Sequence, residues 1–164
     1  MKPSERPTKH RDAVRLLIVA DGWVLLQNDH DPGVPGSGWW VPPGGGIEAG
    51  EGPRDAAIRE AWEETGLRLM PEQLVGPVGE RVVRHGYSDR ILVQRETFFR
   101  VDVERFDPRP QQLTENEKIR KLGERWWPTA QLPQPVWPAR IDEYLRWAGG
   151  PAVDLGFVDE STID

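Results

Sequence analysis

The sequence predicts a single α+β domain, and three observations predict it. Short apolar or alternating segments, separated by Gly, Pro, Asn and Asp, recur along most of the chain as strands do. Two stretches, 53–65 and the one opening at Pro138, carry helical spacing instead. The length of 164 residues fits one domain with a substantial core. Eight Trp and four Phe add large buried areas to a modest 37% hydrophobic content.

In chain order, Met1 to Asp12 is polar and reads as a flexible arm, without the apolar run of a secretory signal. Ala13 to Ala20 forms a strand, Asp21-Gly22 a tight turn, and Trp23 to Gln27 the hairpin partner. Asn28 to Gly38, rich in Gly, Pro and Asp, is a surface loop, and His30 within it is either idle or near substrate. Trp39 to Val41 is a short strand leading into the glycine run Gly44-Gly45-Gly46.

The next segment carries the chemistry. Pro53 suits a first helical position after Gly52, and Gly66 suits the left-handed residue that ends a helix. At roughly 100° per residue, Glu60, Glu63 and Glu64 share an arc of about 100°. Ile58, Ala61, Trp62 and Thr65 fall on the other side. One face is therefore expected to pack on a sheet and the other to be acidic, with Ala56 and Ala57 small enough for a loop to approach. Clustered carboxylates beside a glycine loop suit hard divalent cations next to phosphate, although a solvated charged face would also place them there.

Leu74 to Tyr87 and Arg90 to Val103 read as two strands around Ser88-Asp89. Phe98, sharing a face with Gln94 and Glu96, is a candidate for base stacking, weighed against core packing. Arg81, Arg84, Arg90, Arg95 and Arg100 are spaced along these strands, one or two of them candidates for phosphate contact. Gln111 to Arg120 is a loop or short helix holding Glu115 and Glu117. Trp126-Trp127 form a late strand, one ring facing the cleft and one the core. A final helix from Pro138 carries Ile141, Tyr144, Leu145 and Ala148 to the stop at Gly149-Gly150. The domain is expected to span 13–150. Residues 151–164, with four acids and no base, form an acidic tail that is mobile or docks on a partner in a homodimer.

The segment from Gly45 to Leu67 resembles the Nudix box, the signature of the Nudix hydrolases. Gly45, Glu51, Arg59, Glu60, Ala61, Glu63, Glu64, Gly66 and Leu67 fill every specified position. Seven of these demand one residue type at a background of roughly one in fifteen, so chance gives such a match less than about once in a million chains. The resemblance implies the Nudix fold, an α/β/α sandwich with a mixed sheet between helices. It implies Mg²⁺- or Mn²⁺-dependent hydrolysis of a nucleoside diphosphate derivative by water attack on phosphorus. By the same resemblance Glu60, Glu63 and Glu64 bind metal, with a carbonyl at Gly44 or Gly45 completing the shell. Glu51 and Arg59 orient ligands or water, and the general base is a box acid such as Glu63 or one of Glu115 and Glu117. Gly44, Gly45, Gly46, Trp40, Phe98 and Trp127 are candidate substrate contacts.

The remaining expectations concern class and compartment. A net charge of −6 argues against a general nucleic-acid binder, and zero cysteines exclude thiolate chemistry. No apolar run is long enough for a membrane span, which makes a cytoplasmic protein the expectation. A nucleotide-type small molecule is the expected substrate. The alternatives are a non-nucleotide diphosphate, a capped RNA end, or a non-catalytic nucleotide-sensing domain.

Overall fold

The computed structural model describes residues 5–163. Its strands are β1 (Thr8–Ala20), β2 (Trp23–Asp29), β3 (Trp39–Val41), β4 (Gly44–Gly46), β5 (Val75–Gly86), β6 (Ile91–Asp102), β7 (Lys121–Pro128) and β8 (Val153–Asp159). Helices are α1 (Pro53–Thr65), α2 (Glu115–Arg120) and α3 (Ile141–Leu145), with a 3-10 turn at Pro71–Gln73. The sheet runs β3-β2-β1-β6-β5-β8, and β4 and β7 pair off this path with β1 and β2. It is mixed: β1 pairs parallel with β6 and β5 parallel with β8, while the other ladders are antiparallel.

Alternation along β1 builds a core on each side of the sheet. Val14, Leu16 and Ile18 face α1 and pack with Ala56, Ala57, Ala61, Phe99 and Val101. Leu17 and Val19 face α3 and pack with Leu26, Phe98, Ile141 and Tyr144. Each fully buried aliphatic chain contributes about 1.5–3 kcal/mol. The β1–β2 hairpin turns through Asp21 and Gly22, both at positive φ, as a two-residue turn of this hand requires.

Four expectations are corrected here. Thr8 to Asp12 are not an arm: they extend β1 alongside Ile91 to Arg95. Their side chains are exposed, so backbone pairing holds a stretch that shows no apolar period. Residues 1–4 lie outside the described residues. The acidic tail is also a strand. β8 pairs with β5, Leu155 enters the core beside α3, and Glu160 is buried. The last helix is shorter than its pattern, ending at Leu145.

The fourth correction concerns α1. Its sheet-facing side is Ala56, Ala57, Glu60, Ala61, Glu64 and Thr65, all buried, while Ile58 and Trp62 are only partly covered. Small alanines let the helix sit close to the sheet, which turns two of the three glutamates inward. Trp62 instead lies under the Arg68 guanidinium at 3.9 Å.

Candidate active site

The glycine run is held by strand pairing. Gly44, Gly45 and Gly46 of β4 lie opposite Arg15, Val14 and Ala13. The Gly44 N–H donates to Glu64 Oε2 at 2.8 Å, and Gln27 Nε2 donates to the same oxygen at 3.0 Å. Lys121 Nζ stands 3.2 Å from Glu64 Oε1, an atom with no aligned hydrogen bond. Burial, with Glu60 and Glu117 nearby, pushes the Glu64 carboxyl up to about 8 against the opposing pull of Lys121.

Arg59 gathers the other box acids. Its Nε and Nη2 donate to the two Glu51 oxygens at 2.8 and 2.9 Å, a bidentate pair. Its Nη1 donates to Glu60 Oε1 at 2.9 Å and Glu63 Oε2 at 3.0 Å, and Nη2 also reaches the Gly46 carbonyl. Burial raises the Glu60 carboxyl, opposed by Arg59 and reinforced by Glu117 and Glu63.

α2 brings in a later acid. Thr114 caps it: its hydroxyl accepts from Glu117 N–H at 3.1 Å while Glu117 Oε1 accepts from Thr114 N–H at 2.9 Å. This box points Glu117 back into the cleft, within hydrogen-bond reach of Glu64. Burial alone would raise Glu117, but those hydrogen bonds hold it below the usual carboxylate range. Glu115 is 89% exposed and pairs only with Lys118, so it is removed from the candidate site residues. The Thr114-Glu115-Asn116-Glu117 spacing already carries this capping signal, which separates the two acids.

Arg59, Glu60, Glu63, Glu117 and Lys121 open on a cleft of about 560 Å³, with Glu64 buried behind them. Arg11, Arg15, Arg90, Arg120 and Lys121 line it together with Glu60, Glu63, Glu117 and Gly44 to Gly46. Sequence reasoning singled out only Arg90 of these cations. Arg11 lies before the expected strand start at Ala13, and Arg15 lies inside that strand with no periodic signal to mark it. A shallower hollow of about 390 Å³ between His10, Val82 and Arg95 holds no acid cluster.

The aromatic candidates are corrected. Phe98 is fully buried against Tyr144, with ring centroids 4.5 Å apart. Trp40 and Trp127 meet edge to face at 5.1 Å and pack on the same core, and Trp126 packs on the opposite one. None of the four lines the cleft, because strand alternation sends each into a core layer. The aromatic ring that does line it is Tyr87, flanked by the guanidiniums of Arg90 at 4.8 Å and Arg120 at 4.4 Å. His30 hydrogen-bonds the Arg120 carbonyl through Nδ1 and is not among the lining residues.

The donor set suits a hard divalent cation. It is all oxygen, half-buried or buried, and includes carboxyls raised by burial and then by one another, and an oxygen without an aligned partner. As it stands, Arg59 and Lys121 supply the counter-charge. Among the described residues no three acidic or imidazole side chains surround a common point. Binding a cation there requires the carboxylates to turn away from these two partners.

The NUDIX domain model matches residues 9–148, and the chain belongs to the Nudix family. The uncharacterized Nudix hydrolase YvcI of Bacillus subtilis is 55% identical over 61 residues, 37% of this chain and 35% of that protein. The match thus spans about a third of that relative's length. An RNA pyrophosphohydrolase of Roseobacter denitrificans is 28% identical over 138 residues, 79% of this chain and 83% of the relative. Among solved structures, a MutT NUDIX hydrolase from Burkholderia pseudomallei superposes with a TM-score of 0.59 at 26% identity, covering 82% of this chain and 96% of that one. The fold is the α+β sandwich of that family, a mixed sheet between helices. No helix among the described residues is long and apolar enough to cross a membrane.

Proposed function

We propose that this chain is a divalent-cation-dependent pyrophosphohydrolase that cleaves the P–O–P link of a nucleoside polyphosphate with water. The observation that carries the reading is the meeting of two charge sets in one cleft. Glu60, Glu63 and Glu117 line it together with Arg11, Arg15, Arg90, Arg120 and Lys121.

Glu60, Glu63 and Glu64, with a carbonyl at Gly44 or Gly45, would hold Mg²⁺ or Mn²⁺, which supplies Lewis acidity and a more acidic water. The arginines neutralise the phosphate oxygens and fix their position through planar forks. Gly45 and Gly46 let backbone approach the phosphates without a Cβ in the way. Arg59 holds Glu51, Glu60 and Glu63 in register. Glu117, ionised beside Glu64, serves as added ligand or as acceptor of the proton that water gives up on attacking phosphorus. The bridging oxygen leaves with the second phosphoryl product.

A second reading has its own support. Lys9, Arg11 and Arg15 of β1 all line the cleft and offer a row of cations to the 5′ phosphates of an RNA. The relative named RNA pyrophosphohydrolase matches over most of both chains. Turnover of ATP, nucleotide sugars, ADP-ribose, dinucleoside polyphosphates and 5′-triphosphorylated RNA with Mg²⁺ and Mn²⁺ tests both. Pyrophosphate or phosphate release from a mononucleotide supports the first reading, and release from RNA alone the second. Tight nucleotide binding without turnover would replace both by a sensor.

A further inference from the structure

A chain of buried charged groups connects the C-terminal strand to the cleft. Arg81, with no exposed side-chain area, donates Nη1 and Nη2 to the two oxygens of Glu160 at 2.6 and 2.8 Å. Its Nε donates to Glu96 Oε1 at 2.7 Å, leaving Glu96 Oε2 for Arg15 Nε at 2.9 Å and Gln94 Nε2 at 2.7 Å. Since the Gln94 amide nitrogen is engaged by Glu96, its oxygen faces the other way and accepts from Arg11 Nε at 2.7 Å. Arg11, Arg15 and Gln94 line the cleft, whereas Arg81, Glu96 and Glu160 do not. Glu160 follows the region that the family model matches.

We infer that Glu160 is a positioning residue for phosphate binding: by occupying both Arg81 Nη groups it reserves one Glu96 oxygen for Arg15 and Gln94, and so sets Arg11 and Arg15 in the cleft. The inference rests on the proposed assignment of the cleft to phosphate. The reason is competition for acceptors in a dry site. A guanidinium prefers a bidentate carboxylate, and buried donors without acceptors are costly. Without Glu160, Arg81 takes both oxygens of Glu96. Arg15 then loses its carboxylate acceptor and keeps only the Pro42 carbonyl, which its Nη1 reaches at 3.0 Å, and Gln94 loses the partner that fixes its amide. Buried ion pairs are poor sources of stability compared with apolar side chains of similar volume, so stability alone gives weak grounds for this network. Glu160, the residue after β8, is tied down on both sides: its N–H donates to the Arg84 carbonyl, and Thr162, two residues on, donates its hydroxyl to Asp31 Oδ2 at 2.6 Å.

The test uses the full-length chain with two readouts: inorganic tripolyphosphate affinity in metal-free buffer, and the exchange protection of the arginine Nε–H resonances. Glu160→Gln should weaken tripolyphosphate binding by about tenfold, the loss of one charge-assisted contact, and should strip protection from the Arg15 Nε–H. The double variant Arg81→Gln/Glu160→Gln removes the competitor together with its partner and should recover both. If Glu160→Gln is too unstable to study, Glu160→Asp, one methylene short, should shift both readouts in the same direction by less. Unchanged Arg15 protection and affinity in the single variant overturn the inference, as does a double variant that fails to recover. A wild-type protein that binds no tripolyphosphate overturns the phosphate assignment of the cleft and this role with it. Wild-type binding that the single variant matches overturns the role of Glu160 alone.

Discussion

The backbone N–H of Gly44 donates to the buried carboxylate of Glu64 over 2.8 Å, joining the first residue of β4 to the last turn of α1. The loop and the helix of the box are therefore fixed by this bond, and by Arg59 Nη2 donating to the Gly46 carbonyl, as well as by sequence continuity. Since β4 is itself paired with β1, the position of the acid cluster is inherited from the sheet.

This arrangement sets different demands on adjacent glycines. A Cβ on Gly44, at φ +157, would run into the Val14 carbonyl oxygen, which cannot yield. Gly44→Ala should destabilise the fold by about 2 kcal/mol or more. A Cβ on Gly45 would lie 2.5 Å from Glu60 Oε1, the movable end of a side chain. Gly45→Ala should melt close to the wild type but lose turnover. Thermal melts and initial rates on both variants check the contrast, and equal melting points would refute it.

Glu60→Gln and Glu64→Gln should each lower cation-dependent turnover by about a hundredfold, near 3 kcal/mol of barrier. Metal-free stability should hold or rise at neutral pH, because burial disfavours charge at both positions. Calorimetry without metal, paired with initial rates, measures the two effects separately. Full activity in either variant would remove the carboxylates from the mechanism.

The two acids of the 111–120 segment should part company. Glu117→Gln should reduce turnover by about tenfold or more, since the side chain sits beside Glu64 in the cleft. Glu115→Gln should leave rates unchanged, its one ion pair being with exposed Lys118. A larger loss at Glu115 than at Glu117 would contradict the geometry of α2.

His85 gives the protein an acid limit. It is 3% exposed, and burial holds its imidazole down to about 4, with Glu96 opposing the shift. Its Nδ1–H donates to the Glu160 carbonyl, and Nε2 is buried without a partner. An unfolded histidine titrates near 6.5, so on acidification the unfolded chain binds the proton first. The stability this neutral ring supplies is complete above about pH 6.5 and is lost as pH falls through about 4, amounting to at most about 3 kcal/mol. Denaturant titrations between these limits should show a flatter pH dependence for His85→Gln than for the wild type. Identical slopes would exclude His85 as the source.

Phe98→Ala should cost about 3–5 kcal/mol of stability, as expected for a ring buried against Tyr144, with no change in KM. A raised KM in a folded variant would return Phe98 to the substrate site.

What the sequence alone determined is what repeats or is local. The Gly45 to Leu67 spacing is a local pattern, as are the Asp21-Gly22 turn and the Gly66 stop. Strand alternation made β2, β5 and β6 legible to within a residue or two. Tertiary structure decided which side of α1 is buried, because small alanines at 56, 57 and 61 permit a close helix–sheet contact that no hydrophobicity count reveals. It also decided the fate of both chain ends. Thr8 to Asp12 and Val153 to Asp159 become strands by backbone pairing with distant partners, which has no signature in side-chain period. Arg11, Arg15 and Glu160 gain their meaning in the same way, since a buried ion pair depends on which strands lie side by side, and neighbours in space are not neighbours in the chain.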